Sequence, residues 1–391
     1  MDDPITPAEA DAIIASSLWQ PATDRVSLVE AVGRTLTRAI HADRDLPPYA
    51  RAMMDGVAFS SSSPPHWIQG LHAAGDPPPT ALSAEHAWEI MTGACVPADC
   101  DTVVPYEDIT LEPQGEELQI LQILETYEPG QYIHPTGSDA LSGEVLVPAD
   151  RIIGPAEIAI AASVGLTELE VAARPRIALI SSGDEAIPVA DHPQPWQIRR
   201  SNGPMLEALL RRASHVPRLV RHVPDDADVA RDDLHDALAQ SDLVILCGGI
   251  SKGKRDLIRP LLEEKLGPPA FHGVFQRPGK PLAFWSGPPL VFALPGNPVS
   301  VLATFTRYVL PALSQLEGSD LQVPTRPSPP ELQPLPHLTW LLALDAAGNP
   351  LPPRNSGDFV SISGAAGFLE VPPAPDCTDR LHLRFFSCSP S

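Results

Sequence analysis

Two glycine-rich turns within residues 241–300 constrain the fold of this chain more than any other feature. The first, Gly248-Gly-Ile-Ser-Lys-Gly-Lys-Arg-Asp256, follows the apolar run 242–247, and a helix is predicted from about Asp256. The second, Pro295-Gly-Asn-Pro-Val-Ser300, follows the apolar run 290–294. A glycine turn between a buried strand and a helix leaves backbone N–H groups free, and the helix dipole adds partial positive charge there. The pattern predicts a doubly wound α/β domain with a parallel sheet and an anion site beyond the carboxyl ends of its strands.

The distribution of lysine supports a phosphorylated ligand at these turns. Three of the four lysines in the chain, Lys252, Lys254 and Lys280, lie in or beside the turns, and Arg277 precedes the sequence Pro278-Gly-Lys-Pro281. A compact ammonium group is suited to phosphate as a point charge. The alternative is that the glycines and prolines only turn the chain and that the lysines are solvated at a loop tip. Neither turn matches a Walker loop or a dinucleotide-binding fingerprint.

Acidic residues follow three of the predicted strands, which suggests a metal site at the same edge of the sheet. Glu185 follows the run 177–181, Asp225 follows the run 219–223, and Asp256 ends the first glycine turn. One carboxylate at such a position is usually a helix cap. Several carboxylates beside phosphate-binding loops favour Mg²⁺, held between carboxylates and ligand phosphates.

Composition excludes several classes of function. The net charge of −22 argues against binding to nucleic acid or to an anionic membrane surface. The five cysteines contain no CxxC pair, so a disulfide framework or a zinc site is not expected. Because no signal pattern and no apolar run of about 18 residues is present, we expect a cytoplasmic protein with no membrane association.

The patterns along the chain predict four domains. Helical patterns of similar type flank a β-rich segment, which indicates a discontinuous N-terminal domain (1–48 and 138–174) with an inserted β-rich domain (49–137). Strand–helix alternation defines the central α/β domain, 175–318, in which Ser201-Asn202 is predicted to cap a helix. Thr6-Pro7-Ala8-Glu9 is predicted to form a capping box at the first helix of the chain. A proline-rich linker then leads into a small C-terminal β domain, 319–391, with strands predicted at 338–344, 359–362, 368–371 and 381–386.

Together these motifs resemble the molybdopterin molybdenumtransferase family, which includes MoeA and the gephyrin E domain. Each motif is weak alone, but the whole set in this order and spacing is specific, and only the C-terminal domain matches loosely. The motifs are Pro47-Pro48-Tyr49, Met54-Asp55-Gly56, Ile90-Met-Thr-Gly-Ala94, Val104-Pro105, Ser181-Ser-Gly-Asp-Glu185, Ser201-Asn202, Gly248-Gly-Ile-Ser-Lys-Gly253, Asp256, Pro278-Gly-Lys-Pro281 and Leu294-Pro-Gly-Asn-Pro-Val-Ser300.

The resemblance implies a fold and a reaction. The fold would be an elongated homodimer whose subunit ends in a C-terminal β-barrel and whose central domain binds molybdopterin. The reaction would take adenylylated molybdopterin and molybdate, place molybdenum on the dithiolene with Mg²⁺ present, and release AMP with the finished molybdenum cofactor. Implied partners are the adenylyltransferase that supplies the substrate and the apo-molybdoenzymes that receive the product.

The resemblance also implies roles for residues. The catalytic carboxylates would be Asp55, which would reach the cleft from the partner subunit or across a domain interface, and Glu185, Asp225 and Asp256, which would also bind the metal. Phosphate groups and molybdate would be bound by Thr92, Gly248, Gly249, Ser251, Lys252, Arg277, Lys280, Gly296, Asn297, Ser300, Arg354 and Ser356.

The chain departs from the family pattern at a few positions. Arg277 stands where many members have lysine, Gly273 where some have lysine, and Ala52 where serine is common. The segment after Pro350 is shorter than usual, which bears on Arg354 and Ser356.

Two other functions are compatible with the same fold. The chain could be a non-catalytic molybdopterin-binding or scaffold relative, or it could bind a different nucleotide-like ligand. The complete set of carboxylates argues against the first, and the flanking motifs Met54-Asp55-Gly56 and Ile90-Met-Thr-Gly-Ala94 argue against the second.

Overall fold

A computed structural model describes residues 3–79, 81–83, 85–249, 257–319, 322–355 and 357–388. The chain divides into two units. The larger contains Met1–Asp24, Gly33–Thr35 and Val171–Ser391, and the smaller contains Arg25–Val32 and Leu36–Glu170. Two strands, Thr23–Ser27 and Glu168–Ala172, span points where the chain passes between the units. Within the described residues, no helix has both the length and the apolar character needed to cross a membrane.

The smaller unit is built around a six-stranded mixed sheet. In spatial order its strands are Thr102–Pro105, Gly56–Phe59, His86–Ile90, Trp67–His72, Glu117–Ile123 and Ile109–Gln114. The other elements of this unit are the helices Leu28–Ala31 and Pro155–Ser163, a 3₁₀ turn at Tyr106–Asp108, and the strand pairs Ile40–His41 with Val145–Val147 and Arg51–Ala52 with Ile133–His134.

Gly56 shows why the Met-Asp-Gly motif requires glycine. A Cβ atom at this position would lie 1.9 Å from the carbonyl oxygen of Val104 on the neighbouring strand. Any side chain would therefore force these two strands apart. Because Val57 and Val104 are both fully buried in the core of the sheet, that separation would also disturb its packing.

The larger unit contains a six-stranded sheet with helices on both faces, as the strand–helix alternation predicts. Its strands are β1 (Ile177–Ser182), β2 (Leu219–Val223), β3 (Leu243–Cys247), β4 (Phe271–His272), β5 (Ala283–Trp285) and β6 (Leu290–Leu294), in the order β2-β1-β3-β6-β5-β4. Strands β2, β1, β3 and β6 are parallel, but β5 and β4 pair antiparallel. The prediction of a wholly parallel sheet is therefore wrong at this edge.

The register of the parallel strands brings the two glycine turns together. Ser181 of β1 pairs with Cys247 of β3, and Cys247 pairs with Leu294 of β6. The three strands consequently end at the same level, and Gly248 and Pro295 follow directly. Alternate residues face two separate core clusters, with Leu179 in one and Ile180 in the other, so both faces of the sheet are buried.

The helices of the larger unit begin close to the positions that their sequences indicate. They are Pro7–Ser17, Asn202–Arg212, Ala227–Gln240, Ile258–Leu266, Pro298–Thr304 and Leu310–Leu316, with a π-helical turn at Phe305–Val309. Thr6 and Glu9 form the predicted capping box. Ser201 does not act as the predicted side-chain cap, because its backbone is already helical and its hydroxyl makes no cap hydrogen bond.

The C-terminal residues form a five-stranded sheet together with a strand from the central region. Its strands, in spatial order, are Gln276–Arg277, Thr339–Leu344, Gly367–Val371, Leu383–Ser387 and Thr325–Arg326. The implied barrel is not confirmed, since no pairing joins the two outer strands among the described residues. The strand predicted over 359–362 is wrong, because these residues form turns and Val360 is 73% exposed. The four domain boundaries stay a prediction.

One buried ion network connects distant segments of the larger unit. Arg307, in the π-helical turn, is 2% exposed and forms bonds of 2.7 and 2.8 Å to Asp11 of the first helix. It also donates to Glu370 of the C-terminal sheet, which is 6% exposed. Arg384 pairs with both carboxylates as well. The network therefore holds two cations and two carboxylates.

Candidate functional site

A cavity of about 370 Å³ opens at the carboxyl ends of β1, β3 and β6. We call it the first cavity. Its walls include the turn after β1 (Ser182 to Glu185), the first glycine turn (Gly248 and Gly249) and Gly296 of the second glycine turn. This is the position at which ligands bind in open α/β sheets.

The backbone of the first glycine turn admits only glycine. Gly248 and Gly249 have φ angles of +90° and +66°. A Cβ atom at Gly249 would lie 2.6 Å from Cγ1 of Ile258 and 2.8 Å from Oγ of Ser182. The N–H of Gly248 donates to the carbonyl oxygen of Leu294 at 3.3 Å, which ties this turn to the end of β6.

Two of the predicted metal-binding carboxylates, Glu185 and Asp225, line the first cavity. The backbone N–H of Asp225 donates to Oδ1 of Asp184 (3.0 Å), which ties the loop after β2 to the turn after β1. Neither the Glu185 nor the Asp225 side chain forms an ion pair within the described part of the chain. Both carboxylates therefore remain available to a ligand.

His222 of β2 holds the turn after β1 in place. Its Nε2 lies 3.2 Å from the carbonyl oxygen of Gly183, and its Nδ1 lies 2.9 Å from Oγ of Ser181. A carbonyl can only accept, so Nε2 carries the proton and Nδ1 of the neutral ring accepts from the Ser181 hydroxyl. Burial, and then the positive charge of Arg200, lowers the pKa of His222, which favours this neutral form.

Asn202 links the first cavity to the second glycine turn. Its Nδ2 donates to the carbonyl oxygen of Gly296 at 2.7 Å. Its Oδ1 is buried and has no hydrogen-bond partner among the described residues. A buried acceptor without a donor is costly, so Oδ1 fits an N–H donor of a ligand in this cavity.

A second cavity of about 570 Å³ lies between the second glycine turn and the C-terminal sheet. Its walls contain four residues predicted to bind the ligand (Arg277, Lys280, Asn297 and Ser300). They also contain Trp340 of the C-terminal sheet and Asn355 of a loop between two strands of that sheet. The predicted single anion site is therefore two neighbouring cavities, which share Pro281 and Pro295.

In the smaller unit, Asp55 and Thr92 form a close pair. The backbone N–H and the hydroxyl of Thr92 both donate to Oδ1 of Asp55, at 2.6 and 2.7 Å. These bonds, the backbone one first, hold the pKa of Asp55 below its usual value. The donors of Thr92 that were predicted to bind a ligand are thus directed to Asp55.

Comparison with known proteins identifies the family. Residues 5–165 match the MoeA N-terminal region (domain I and II), and residues 178–315 match a probable molybdopterin-binding domain. A molybdopterin molybdenumtransferase of Synechocystis sp. is 36% identical over 87% of this chain and 88% of its own length. The chain belongs to the molybdopterin molybdenumtransferase family. The sequence-based assignment to this family of enzymes is confirmed.

Two further comparisons agree with membership of the family. Gephyrin of Dictyostelium discoideum is 32% identical over 75% of this chain and 47% of that protein. The crystal structure of the molybdopterin biosynthesis MoeA protein from Pyrococcus horikosii superposes with a TM-score of 0.80 and 26% identity, covering 99% of each chain. The chain therefore has the multidomain α/β fold of the family.

All of the predicted site residues except Arg354 fall into four groups. Glu185, Asp225, Gly248, Gly249 and Gly296 line the first cavity, and Arg277, Lys280, Asn297 and Ser300 line the second. Asp55 and Thr92 lie in the smaller unit. Ser251, Lys252, Asp256 and Ser356 lie outside the described residues.

Arg354 is the one described site residue of the larger unit that lines neither cavity. Its side chain is 92% exposed and its Nε lies 3.8 Å from Asp358. The neighbouring Asn355 lines the second cavity instead. Sequence reasoning missed the roles of His222 and Arg200. The Arg199-Arg200 pair directly before Ser201-Asn202 was the available signal for a cation at the first cavity.

Proposed function

We propose that this chain inserts molybdenum from molybdate into adenylylated molybdopterin and releases AMP in a Mg²⁺-dependent reaction. The observation that carries this proposal is the pair of adjoining cavities at the carboxyl edge of the sheet. One contains carboxylates and N–H groups of a glycine turn, and the other contains two cations. A phosphorylated pterin, a divalent metal and an oxyanion need these groups.

The carboxylates of the first cavity fit Mg²⁺. This ion is usually held by one or two carboxylates together with substrate phosphates, and Glu185 and Asp225 line one cavity with no competing ion pair in the described chain. Among the described residues no group of three or more acidic, histidine or cysteine side chains forms a closed metal site. An open pair completed by ligand oxygens agrees with that finding. When bound, Mg²⁺ would neutralise charge on the phosphate that AMP carries away.

The remaining groups of the first cavity would bind and orient the pterin nucleotide. The N–H group of Gly249 would donate to a phosphate oxygen, helped by the low dielectric of a partly enclosed site, while the N–H of Gly248 is bonded to the carbonyl oxygen of Leu294. Oδ1 of Asn202 would accept from a ring N–H or amino group. His222 touches the turn that carries Glu185, and so it would fix that carboxylate relative to the phosphate.

The second cavity would hold molybdate. Molybdate is a small dianion, and Arg277 and Lys280 supply two positive charges beside the hydroxyl of Ser300 and the amide of Asn297. Arginine can bond two oxyanion oxygens at once, whereas lysine contributes a point charge. The cavities share a wall at Pro281 and Pro295. Molybdate would therefore bind next to the pterin that receives the metal.

Asp55 would act as a catalytic carboxylate. The two bonds from Thr92 keep it ionised at neutral pH. An ionised carboxylate can orient water or the amino groups of a substrate.

We also propose that the chain forms a homodimer in the cytoplasm and that each subunit has a C-terminal barrel. It would receive its substrate from the adenylyltransferase that acts before it and deliver its product to apo-molybdoenzymes.

Substitution of Glu185 tests the proposal. Glu185→Gln keeps the shape of the side chain but removes its charge. We therefore expect ligand binding to persist while Mg²⁺-dependent AMP release falls by about 100-fold or more. A loss of this size is typical when a group that stabilises the transition state is removed. The matched control is Asp228→Asn, because Asp228 is 94% exposed and pairs only with Arg231 in the described chain. Equal AMP release by the wild type and Glu185→Gln would show that this carboxylate has no catalytic part. Binding without turnover in the wild type would favour the non-catalytic relative.

A further inference from the structure

Arg200 is fixed by its backbone and by its side chain at the edge of the first cavity. Its N–H donates to the carbonyl oxygen of Ile187 (2.9 Å), and its Nε donates to that of Ala186 (2.9 Å). These bonds extend a short parallel ladder between Ala186–Ile187 and Ile198–Arg199. The guanidinium group is thus held by its Nε, which orients its two terminal nitrogens.

The two terminal nitrogens of Arg200 have no acceptor among the described residues. The residue is half-buried, lines the first cavity and takes part in no ion pair in that part of the chain. Arg199 differs, since its Nε donates to the carbonyl oxygen of Asp191 and its side chain is exposed. A guanidinium with one nitrogen anchored and two nitrogens free can still bind an oxyanion through two parallel bonds.

Arg200 adds positive charge to a cavity whose described walls also carry two carboxylates. The described walls of this cavity carry the carboxylates of Glu185 and Asp225 and the cations Arg199 and Arg200, while Arg277 and Lys280 line the second cavity. A phosphorylated ligand facing two carboxylates would be repelled without a compensating positive charge.

Arg200 and Glu185 belong to one rigid piece of backbone. The N–H of Ile198 donates to the carbonyl oxygen of Glu185 at 2.8 Å, two residues before Arg200. The ladder therefore fixes the spacing of the backbone that carries the proposed metal-binding carboxylate and the guanidinium. A phosphoryl group could contact the metal on one side and the arginine on the other.

We propose that Arg200 binds phosphoryl oxygens of the ligand in the first cavity through both terminal nitrogens, and thereby sets the affinity of this cavity for phosphorylated compounds. This inference rests on the proposed function. The phosphoryl group belongs either to the adenylate half of the substrate or to the phosphate of the pterin half. Both sources present the same tetrahedral oxyanion.

The test uses the full chain with three separate probes. Two are phosphorylated, AMP and molybdopterin without adenylate, and the third is molybdate. We compare the wild type with Arg200→Ala, Arg200→Lys and the control Arg231→Ala by calorimetric titration in the presence of Mg²⁺. Arg231 lies on the exposed surface of the helix Ala227–Gln240 and pairs with Asp228, so this control removes the same charge elsewhere.

We expect Arg200→Ala to weaken one phosphorylated probe by about 10- to 100-fold, which is the effect of losing a charge-assisted hydrogen bond. Arg200→Lys should recover only part of the affinity, because an ammonium group does not form the bidentate contact. Molybdate binding should be unchanged. A loss confined to AMP assigns the adenylate phosphoryl group, and a loss confined to molybdopterin assigns the pterin phosphate.

Equal affinity of the wild type and Arg200→Ala for both phosphorylated probes would overturn the inference and leave the proposed function intact. Full recovery in Arg200→Lys would also overturn it, because charge without bidentate geometry would then suffice. If the alanine variant does not fold, Arg200→Lys still decides, since a several-fold loss in that variant supports the bidentate contact. A wild type that binds neither phosphorylated probe would refute the proposed function together with this inference.

Discussion

Removal of Arg307 alone should destabilise the larger unit far more than removal of Arg307 together with its buried partner. Arg307→Met would leave Asp11 and the 6% exposed Glu370 with Arg384 as their single cation. Breaking one partner of a buried ion pair costs about 3–5 kcal/mol, because an uncompensated charge stays buried. The double variant Arg307→Met/Glu370→Leu leaves one cation with one carboxylate, so most of this loss should be recovered.

Hydrogen exchange followed by mass spectrometry measures this effect without assuming that the whole chain unfolds in one step. Peptides from 298–316 and 367–371 should exchange about 100- to 4,000-fold faster in Arg307→Met, since each 1.4 kcal/mol is a factor of ten. In the double variant the acceleration should be at least ten-fold smaller. A single variant that exchanges like the wild type, or a double variant that exchanges faster than the single, would refute the reasoning.

Two further predictions concern backbone strain and acid dependence. Gly279→Ala should lower the free energy of unfolding by about 2–5 kcal/mol in urea titration, because φ is +91° and a Cβ atom would lie 2.4 Å from Cγ2 of Thr304. The control Gly348→Ala, with φ of +88° and no atom within 4 Å, should lower it by only about 1–2 kcal/mol. Equal losses in the two variants would contradict the steric explanation. Thr92→Val removes one of the bonds that lower the pKa of Asp55, so the acid limb of the pH–activity profile should move to higher pH. Thr92→Ser keeps the hydroxyl and should leave the acid limb in place. Identical profiles for the two variants would show that the Thr92 hydroxyl does not set the acid limb.

The elements that position the site could be predicted from sequence because their signals are local. The runs 242–247 and 290–294 are short and apolar and each is followed by a glycine-containing turn, which is typical of buried strands followed by anion-binding turns. The structure has strands at Leu243–Cys247 and Leu290–Leu294. In contrast, β4 and β5 have two and three residues, too few to show the period of a strand.

The division of the site into two cavities could not be predicted, because it depends on packing between segments far apart in sequence. Gln276 pairs with Thr339 of the C-terminal sheet. This pairing places Arg277 and Lys280 in a cavity with Trp340, on the other side of Pro281 from the first cavity. Spacing along the chain predicted one site for these cations and the carboxylates. Only the tertiary contact shows that the cations line a separate cavity.

Isolated polar residues were the hardest to assign. Arg200 and His222 belong to no motif that carries chemistry, and their roles follow from bonds to the backbone of residues 183 and 186. The strand predicted over 359–362 was wrong because a run of β-branched and aromatic residues does not give a strand without a buried face. Phe359 and Val360 are both exposed there.

The most direct test of the central claim is a turnover assay with the purified full chain. Adenylylated molybdopterin, molybdate and Mg²⁺ would be mixed with the protein, and AMP release would be followed together with reconstitution of an apo-molybdoenzyme. The account predicts that both products appear and that both are lost when Mg²⁺ is removed. Tight binding of the ligand with neither product formed would contradict it.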